Sequence, residues 1–356
     1  MYVWEDTEYP HAVQPLAFPH RLRESPALPR GSIVLGAFAA LVVAAAAAFL
    51  ARLLPLIGTP VLAIVLGVVI RAVAPLPASS RAGLAFSSKR VLQAGIVVSG
   101  FSLSFATVVR TGLATLPLTL VTIAVALILG RLLGRLFRVD GALRQLVSVG
   151  TAICGASAIG AVATVIDPEE GAVPLSIATI FFYNIVAVLI FPPLGHLMHM
   201  TQEAFGIWAG TAVNDTSSVV AAGYAYGHQA GAEATVVKLA RASLILPLVA
   251  VIALRRARGR ATSRNESVPW MKIVPWFIVW FLLAAVVNST GIVPSWWHGP
   301  IAEVAVFLIG IALAAIGLQT ELRTLLRTGA RPLALGFCLW VAVALSSLGV
   351  QHLSGL

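Results

Sequence analysis

Charge is what this chain of 356 residues has least of: 11% of its residues are Asp, Glu, Lys or Arg, against roughly 25% in soluble domains. That deficit excludes a water-soluble globular enzyme. Cysteine is nearly absent too. Cys154 and Cys338 both lie in apolar runs, which excludes a disulfide framework and a cysteine metal cluster. The seven histidines form no metal-spaced set; His196 and His199 stand three apart beside Pro192 and Pro193 and suit a membrane edge. Neither metal nor cofactor is expected. What is present is hydrocarbon: 59% hydrophobic residues and a mean hydropathy of +0.94. An all-α integral membrane protein follows, because a lipid core leaves helices or closed barrels as the available spanning structures.

Residues 1–31 hold Pro10, Pro15, Pro19, Pro26 and Pro29 with mixed charges. They lack the basic-then-apolar order of a signal peptide and read as a disordered tail. Residues 32–356 read as one transmembrane domain. At roughly 20 apolar residues per crossing, spans are expected at about 33–54, 58–76, 86–110, 114–137, 142–166, 172–195, 203–227, 233–254, 270–291, 301–321 and 331–353, about 11 transmembrane helices in all.

The formal charge of +10 does not point to nucleic acid, because the cations sit in alternate connections instead of on one face. With the N-terminus inside, one side holds three in the tail, then four, four, none, six and three in successive connections, 20 together. The other side holds only Arg52 and Arg110, and an acidic connection with Asp167, Glu169 and Glu170. The positive-inside rule puts the N-terminus in the cytoplasm and the C-terminus outside. Spans five to eight lie between two basic connections and so must make an even number of crossings. Two cations, Lys238 and Arg241, belong to no connection.

Two polar interruptions echo each other: Gly150-Thr151-Ala152-Ile153-Cys154-Gly155-Ala156-Ser157 and Gly210-Thr211-Ala212-Val213-Asn214-Asp215-Thr216-Ser217. Breaks at membrane depth are tolerated where protein or a watery cavity satisfies the freed backbone, and transport sites are built from them. This echo fits convergent site chemistry or a segment that enters and returns on one side. A second echo, Gly100 to Gly112 against Gly317 to Gly329, joins spans of opposite sense and suggests inverted repeats with discontinuous helices.

Asp215 is the one acid near mid-span, where an ionised carboxylate costs on the order of 2.5–3.5 kcal/mol. It could bind substrate or protons, or simply N-cap a broken helix. Lys238 and Arg241, three apart on one helix face, lie about 7 and 12 Å into their span. They could hold an anion, or pair with Asp215 or Glu233. Thr151, Cys154, Gly155 and Ser157 offer hydroxyls and amides at a helix N-terminus, where anions are favoured; tight packing through small residues is the plainer alternative. Gln319, Thr320 and Asn184 carry weaker signals.

The two Gly-Thr-Ala motifs, with Val236-Val237-Lys238-Leu239-Ala240-Arg241, resemble the bacterial YeiH-type sulfate exporter family over roughly residues 33–353. Gly160 and Ser218 depart from its pattern. The resemblance implies a multi-pass transporter of the bacterial inner (cytoplasmic) membrane, related in fold to the inverted-repeat cation/proton antiporters and bile-acid symporters. Related transporters often form dimers, so a homodimer is a possible assembly.

The expected function is secondary transport, by export or exchange, of a small sulfate-like inorganic or organic oxyanion. Asn214, Thr216, Ser217, Lys238 and Arg241 join Thr151, Cys154, Gly155 and Ser157 as substrate ligands, and Asp215 couples protons. Ionised Asp215 leaves the two cations a net +1; its protonation restores +2, balancing a dianion. The alternative is a sodium/proton antiporter using Asn214 and Asp215. An intramembrane hydrolase built on Ser217 or Ser157 lacks a histidine base, since all seven histidines fall in the tail or near span ends, so the chain is not expected to be an enzyme. A purely structural or sensing membrane protein is the remaining class.

Overall fold

The computed structural model describes residues 30–53, 58–169, 171–259, 276–320 and 329–355. Among them there is no strand. The helices are α1 (Arg30–Leu53), α2 (Thr59–Val73), α3 (Arg81–Phe86), α4 (Leu92–Gly100), α5 (Phe105–Ala114), α6 (Leu116–Leu136), α7 (Gly141–Ala152), α8 (Ala156–Ile166), α9 (Ala172–Leu197), α10 (Gln202–Ala212), α11 (Thr216–Tyr226), α12 (His228–Ser243), α13 (Ile245–Gly259), α14 (Trp276–Ser289), α15 (His298–Gln319) and α16 (Ala330–Ser354).

Six helical runs among the described residues are long and apolar enough to cross a membrane: Ile33–Leu53, Leu116–Leu136, Ala172–Leu197, His228–Leu254, Ser295–Gln319 and Ala330–Ser354. The run Ala78–Gly100, turned by 107° into α5, would make a seventh. The tail expected over residues 1–31 lies outside the described residues except at its end, where α1 begins at Arg30. Of the second echo, 321–328 also lie outside them.

Two of the expected crossings fold back. Arg144, at the start of α7, packs on Gly134 near the end of α6, so that end of the molecule carries Arg135, Arg138 and Arg144 and is called the basic end. Leu143 and Val147 share a cluster with Ala172 and Leu175, the first turns of α9. In the last turn of α7, a Cβ on Gly150 would meet both Ile159 of α8 and Ile180 of α9. Since α8 leads by a short connection into the start of α9, it returns to the basic end that α7 left. The segment 141–166 is a hairpin, not a span. Its acidic connection, with Asp167 and Glu169, therefore sits at the basic end instead of opposite it.

The segment 202–226 does the same from the other end. The Phe205 ring near the start of α10 stacks on that of Tyr226 at the end of α11, centroids 3.9 Å apart. The side-chain oxygen of Gln202 accepts from the amides of Gln229 (3.0 Å) and Ala230 (3.3 Å). Both arms lie on α12, because Gly206 of α10 and Gly223 of α11 each approach Ala230 and Ala234 closely. A side chain at either glycine would separate those backbones. Both hairpins return to the end they left, so between the two basic connections α9 and the α12–α13 run are the candidate spans that pass from one end to the other.

The helices form two groups. In the first, α15 packs on α1, α2 and α4, and α14 on α4 and α5. The second comprises α6 to α13 with α16, which touches α6, α7, α9 and α10. The groups meet where α11 contacts α2 and α15, and α12 contacts α5.

Candidate functional site

Each hairpin turns at a three-residue break. Asp140 starts α7 by accepting from the amides of Ala142 (3.0 Å) and Leu143 (3.4 Å). The helix stops at Ile153 and Cys154, and Gly155 adopts φ +64°, ψ −126°, a backbone state costing other residues on the order of 1–3 kcal/mol. Thr201 caps α10 through the Ala204 amide (3.1 Å). After Val213 and Asn214, Asp215 adopts extended backbone and N-caps α11: the Ser217 amide (2.9 Å) and the Ser217 hydroxyl both donate to its Oδ2. A Cβ on Gly155 would lie 3.4 Å from that of Asp215. The two tips, arriving from opposite ends, touch.

Breaking two helices exposes two negative C-terminal ends inside the protein, each with carbonyls lacking intrahelical partners. Lys238 and Arg241 serve these carbonyls. The Lys238 ammonium donates to Ile153 O and Val213 O, 2.8 Å each. Arg241 donates from Nε to Ala152 O (2.7 Å), from Nη2 to Thr151 O (3.2 Å) and from Nη1 to Thr211 O. Each cation thus ties the first hairpin to the second. Both side chains are 0% exposed. These bonds run to main-chain oxygens, not to Asp215 or Glu233, the two carboxylates that the sequence also offers as partners.

The positive ends are treated unequally. Asp215 caps α11, whereas the N-cap of α8 is Gly155, with no side-chain cap. Ser157 is exposed, Ala156, Asp215 and Thr216 are half-buried, and Thr151, Cys154, Asn214 and Ser217 are buried. The hydroxyls of Thr151 and Thr211 are turned inward: Thr151 donates to Val147 O (3.0 Å), and Thr211 shares a bond with Ser347 (2.6 Å). Treating each helix end as about half a charge, the two negative and two positive ends cancel. The side chains then leave +1 at the tips with Asp215 ionised.

Asn184 is the residue that sequence reasoning undervalued. Its Oδ1 accepts from the amides of Asn214 and Asp215, 3.2 Å each, holding the second tip against α9. Its own Nδ2 and the Oδ1 of Asn214 are buried with no hydrogen-bond partner among the described residues. The signal, an amide in the apolar run of α9, was visible; its acceptor role was not, because its partners are main-chain groups about thirty residues away. Asn184→Leu orphans two buried amides, so a destabilisation on the order of 2–4 kcal/mol is expected, measured as a lowered midpoint of thermal unfolding in detergent, with Ser157→Ala close to wild type.

A cavity of about 490 Å³ between α5, α10 and α12 is lined by Thr107, Arg110, Thr111, Glu203 and Glu233. Glu233 precedes Lys238 by five residues, about 7.5 Å along α12, so this cavity approaches the tips from the end opposite the basic one. Among the described residues, no three His, Cys, Asp or Glu side chains cluster as a metal site.

The family model described as "Conserved hypothetical protein 698" matches residues 35–336. A UPF0324 membrane protein of Streptococcus pneumoniae is 39% identical over 329 residues, covering 90% of this chain and 97% of its own. Another from Clostridium tetani is 37% identical over 328 residues, covering 88% and 95%. One from Fusobacterium nucleatum is 36% identical over 327 residues, covering 86% and 94%. These names specify a membrane protein and no activity.

Proposed function

The chain belongs to this YeiH-like family of UPF0324 membrane proteins, and on that premise we propose that it is a secondary transporter of a small oxyanion, with the substrate held where the two hairpin tips meet. The observation that carries this reading is the uncapped α8 N-terminus, beside an exposed Ser157, in a site whose formal charges sum to +1. A helix N-terminus offers free amides and a positive partial charge to an anion. Lys238 and Arg241 contribute their field while their hydrogen bonds brace the tips, so the hydroxyl of Ser157 and the first amides of α8 are the direct ligands, joined by half-buried Thr216 at the start of α11. Thr151, Cys154, Gly155, Asn214 and Ser217 shape the tips, and Asp215 adjusts the charge by taking up a proton. Two hairpins entering from opposite ends support this reading, because secondary transporters hold substrate at broken helices near mid-membrane. The charge pattern supports a cytoplasmic basic end in a bacterial inner membrane, with the C-terminus outside.

The sodium/proton alternative finds less support. A cation would seek the break carbonyls of Ile153 and Val213, and Lys238 already donates to both. The capping role of Asp215 Oδ2 further reduces what it can offer a metal ion.

A thermal-shift screen of sulfate, sulfite, phosphate, bicarbonate and small carboxylates tests the reading. At least one oxyanion should raise the melting temperature at constant ionic strength, and Ser157→Ala should weaken that effect roughly tenfold in apparent affinity, equivalent to about 1.4 kcal/mol. If none stabilises the protein while sodium does, the anion reading fails.

A further inference from the structure

The cavity opposite the basic end, here the outer cavity, has polar walls and an apolar floor. Glu203 from the first turn of α10, Glu233 from the second turn of α12 and Arg110, Thr107 and Thr111 from α5 make up the walls. Residues three or four apart share a helix face, so Ile207 lies one turn below Glu203, Val237 below Glu233 and Leu118 below Thr115. These three form one apolar cluster, each no more than 3% exposed. Val237 also packs against Gly210, the start of the second motif. The cluster therefore separates the cavity from the hairpin tips.

Arg110 and Glu203 are exposed, whereas Glu233 is half-buried and held against α10, where a Cβ on Gly206 would come within 2.6 Å of its own. The Thr111 hydroxyl is the hydrogen-bonding neighbour of the Glu233 carboxyl group. Its Oε2, however, is buried with no hydrogen-bond partner among the described residues. Enclosing a charged oxygen without a donor is costly. A bound proton removes that charge and takes up no room, whereas a metal ion would need several accessible oxygens. The charged and titratable groups packed around Glu233 are Glu203 of α10, Arg110 of α5 and Tyr224 of α11, whose ring lies on Gly231. His228, Lys238 and Arg241 share its helix, Asp215 lies beyond the floor, and Arg131 and Arg135 of α6 lie toward the basic end. With Glu203 and Glu233 both ionised, Arg110 leaves the walls one negative charge, which a proton on Glu233 cancels.

We propose that Glu233 is a proton-binding carboxyl that exchanges with the outer cavity and stands in series with Asp215, an inference that rests on the tips being a proton-coupled transport site. The closed floor keeps a proton on Glu233 apart from the tips, and parting it, as alternating access requires, joins the two carboxylates in one path. Intramembrane acids serve such relays in pumps and transporters. Two measurements on the full-length protein test the assignment. In detergent, a hydrophobic carbodiimide should modify Glu233, located by peptide mass spectrometry, and the labelling should rise as the pH falls; this readout needs no transport. In vesicles, Glu233→Gln should keep sulfate-for-sulfate exchange near the wild-type rate but lose the proton movement that accompanies net sulfate flux, followed with a pH-sensitive dye. Glu303→Gln, at an exposed carboxylate of α15, should keep both. Absence of pH-dependent labelling at Glu233, or undiminished proton movement in Glu233→Gln, would overturn this inference and leave the transport reading standing. A wild-type protein that moves no sulfate would overturn the transport reading, and the series coupling with it.

Discussion

Arg241→Gln should cost the protein on the order of 3–5 kcal/mol of stability, more than Asn184→Leu or Asp215→Asn. That is the range found when one side of a buried charge-assisted network is removed, and it agrees with three carbonyls each orphaned at about 1–3 kcal/mol. Arg241 is 0% exposed and donates to Thr151 O and Ala152 O of the first hairpin and to Thr211 O of the second. Glutamine is shorter and cannot reproduce a planar fork reaching both helix ends. Arg241→Lys should rescue only part of the loss, because an ammonium group concentrates its donors at a single nitrogen. The measurement is the thermal midpoint in detergent together with the yield of monodisperse protein. A variant melting within a degree or two of wild type would show that the two hairpin ends do not depend on this fork.

Asp215→Asn should have the opposite profile, a small effect on stability and a large one on transport. Asparagine caps helices about as well as aspartate, and its side-chain oxygen can still accept from the Ser217 amide, now bonded at 2.9 Å. A change of about 1 kcal/mol or less is expected. The charge at the tips, however, becomes fixed at +2. Under the proposed coupling, neutralising Asp215 would take the tips from +1 to +2 and favour a dianion, so transport of sulfate should rise as the pH on the loading side falls. In Asp215→Asn that dependence should disappear, with transport independent of an imposed pH gradient. If the variant folds and keeps the full pH response, Asp215 is a cap and nothing more.

The contrast between these substitutions reflects what the sequence could reveal. Both breaks were legible because glycine and hydroxyl residues interrupt long apolar runs, and Asp215 is where an N-cap belongs. Lys238 and Arg241 were recognisable as intramembrane cations once the connections had claimed the other basic residues. Their hydrogen-bond partners were not recognisable, because main-chain carbonyls at a helix end have no signature in residue identity. The hairpins stayed one of two alternatives for a related reason. A run of about 24 apolar residues with a short polar break satisfies a length criterion whether it crosses or returns. The direction is decided by packing: Gly206 and Gly223, seventeen residues apart, both lie against Ala230 and Ala234 of α12, and only a folded-back segment allows that. The acidic connection at 167–169 moved to the basic end for the same reason, since the hairpin before it does not cross.

Whether the meeting tips carry an anion or a cation is tested most directly by parallel flux of radiolabelled sulfate and radiolabelled sodium into vesicles containing the purified protein, under an imposed pH gradient. Sulfate uptake should be competed away by other small oxyanions and should fall sharply in Ser157→Ala, with sodium entering no faster than in empty vesicles. Sodium uptake driven by the gradient, with no oxyanion moving, would contradict an anion site at the tips.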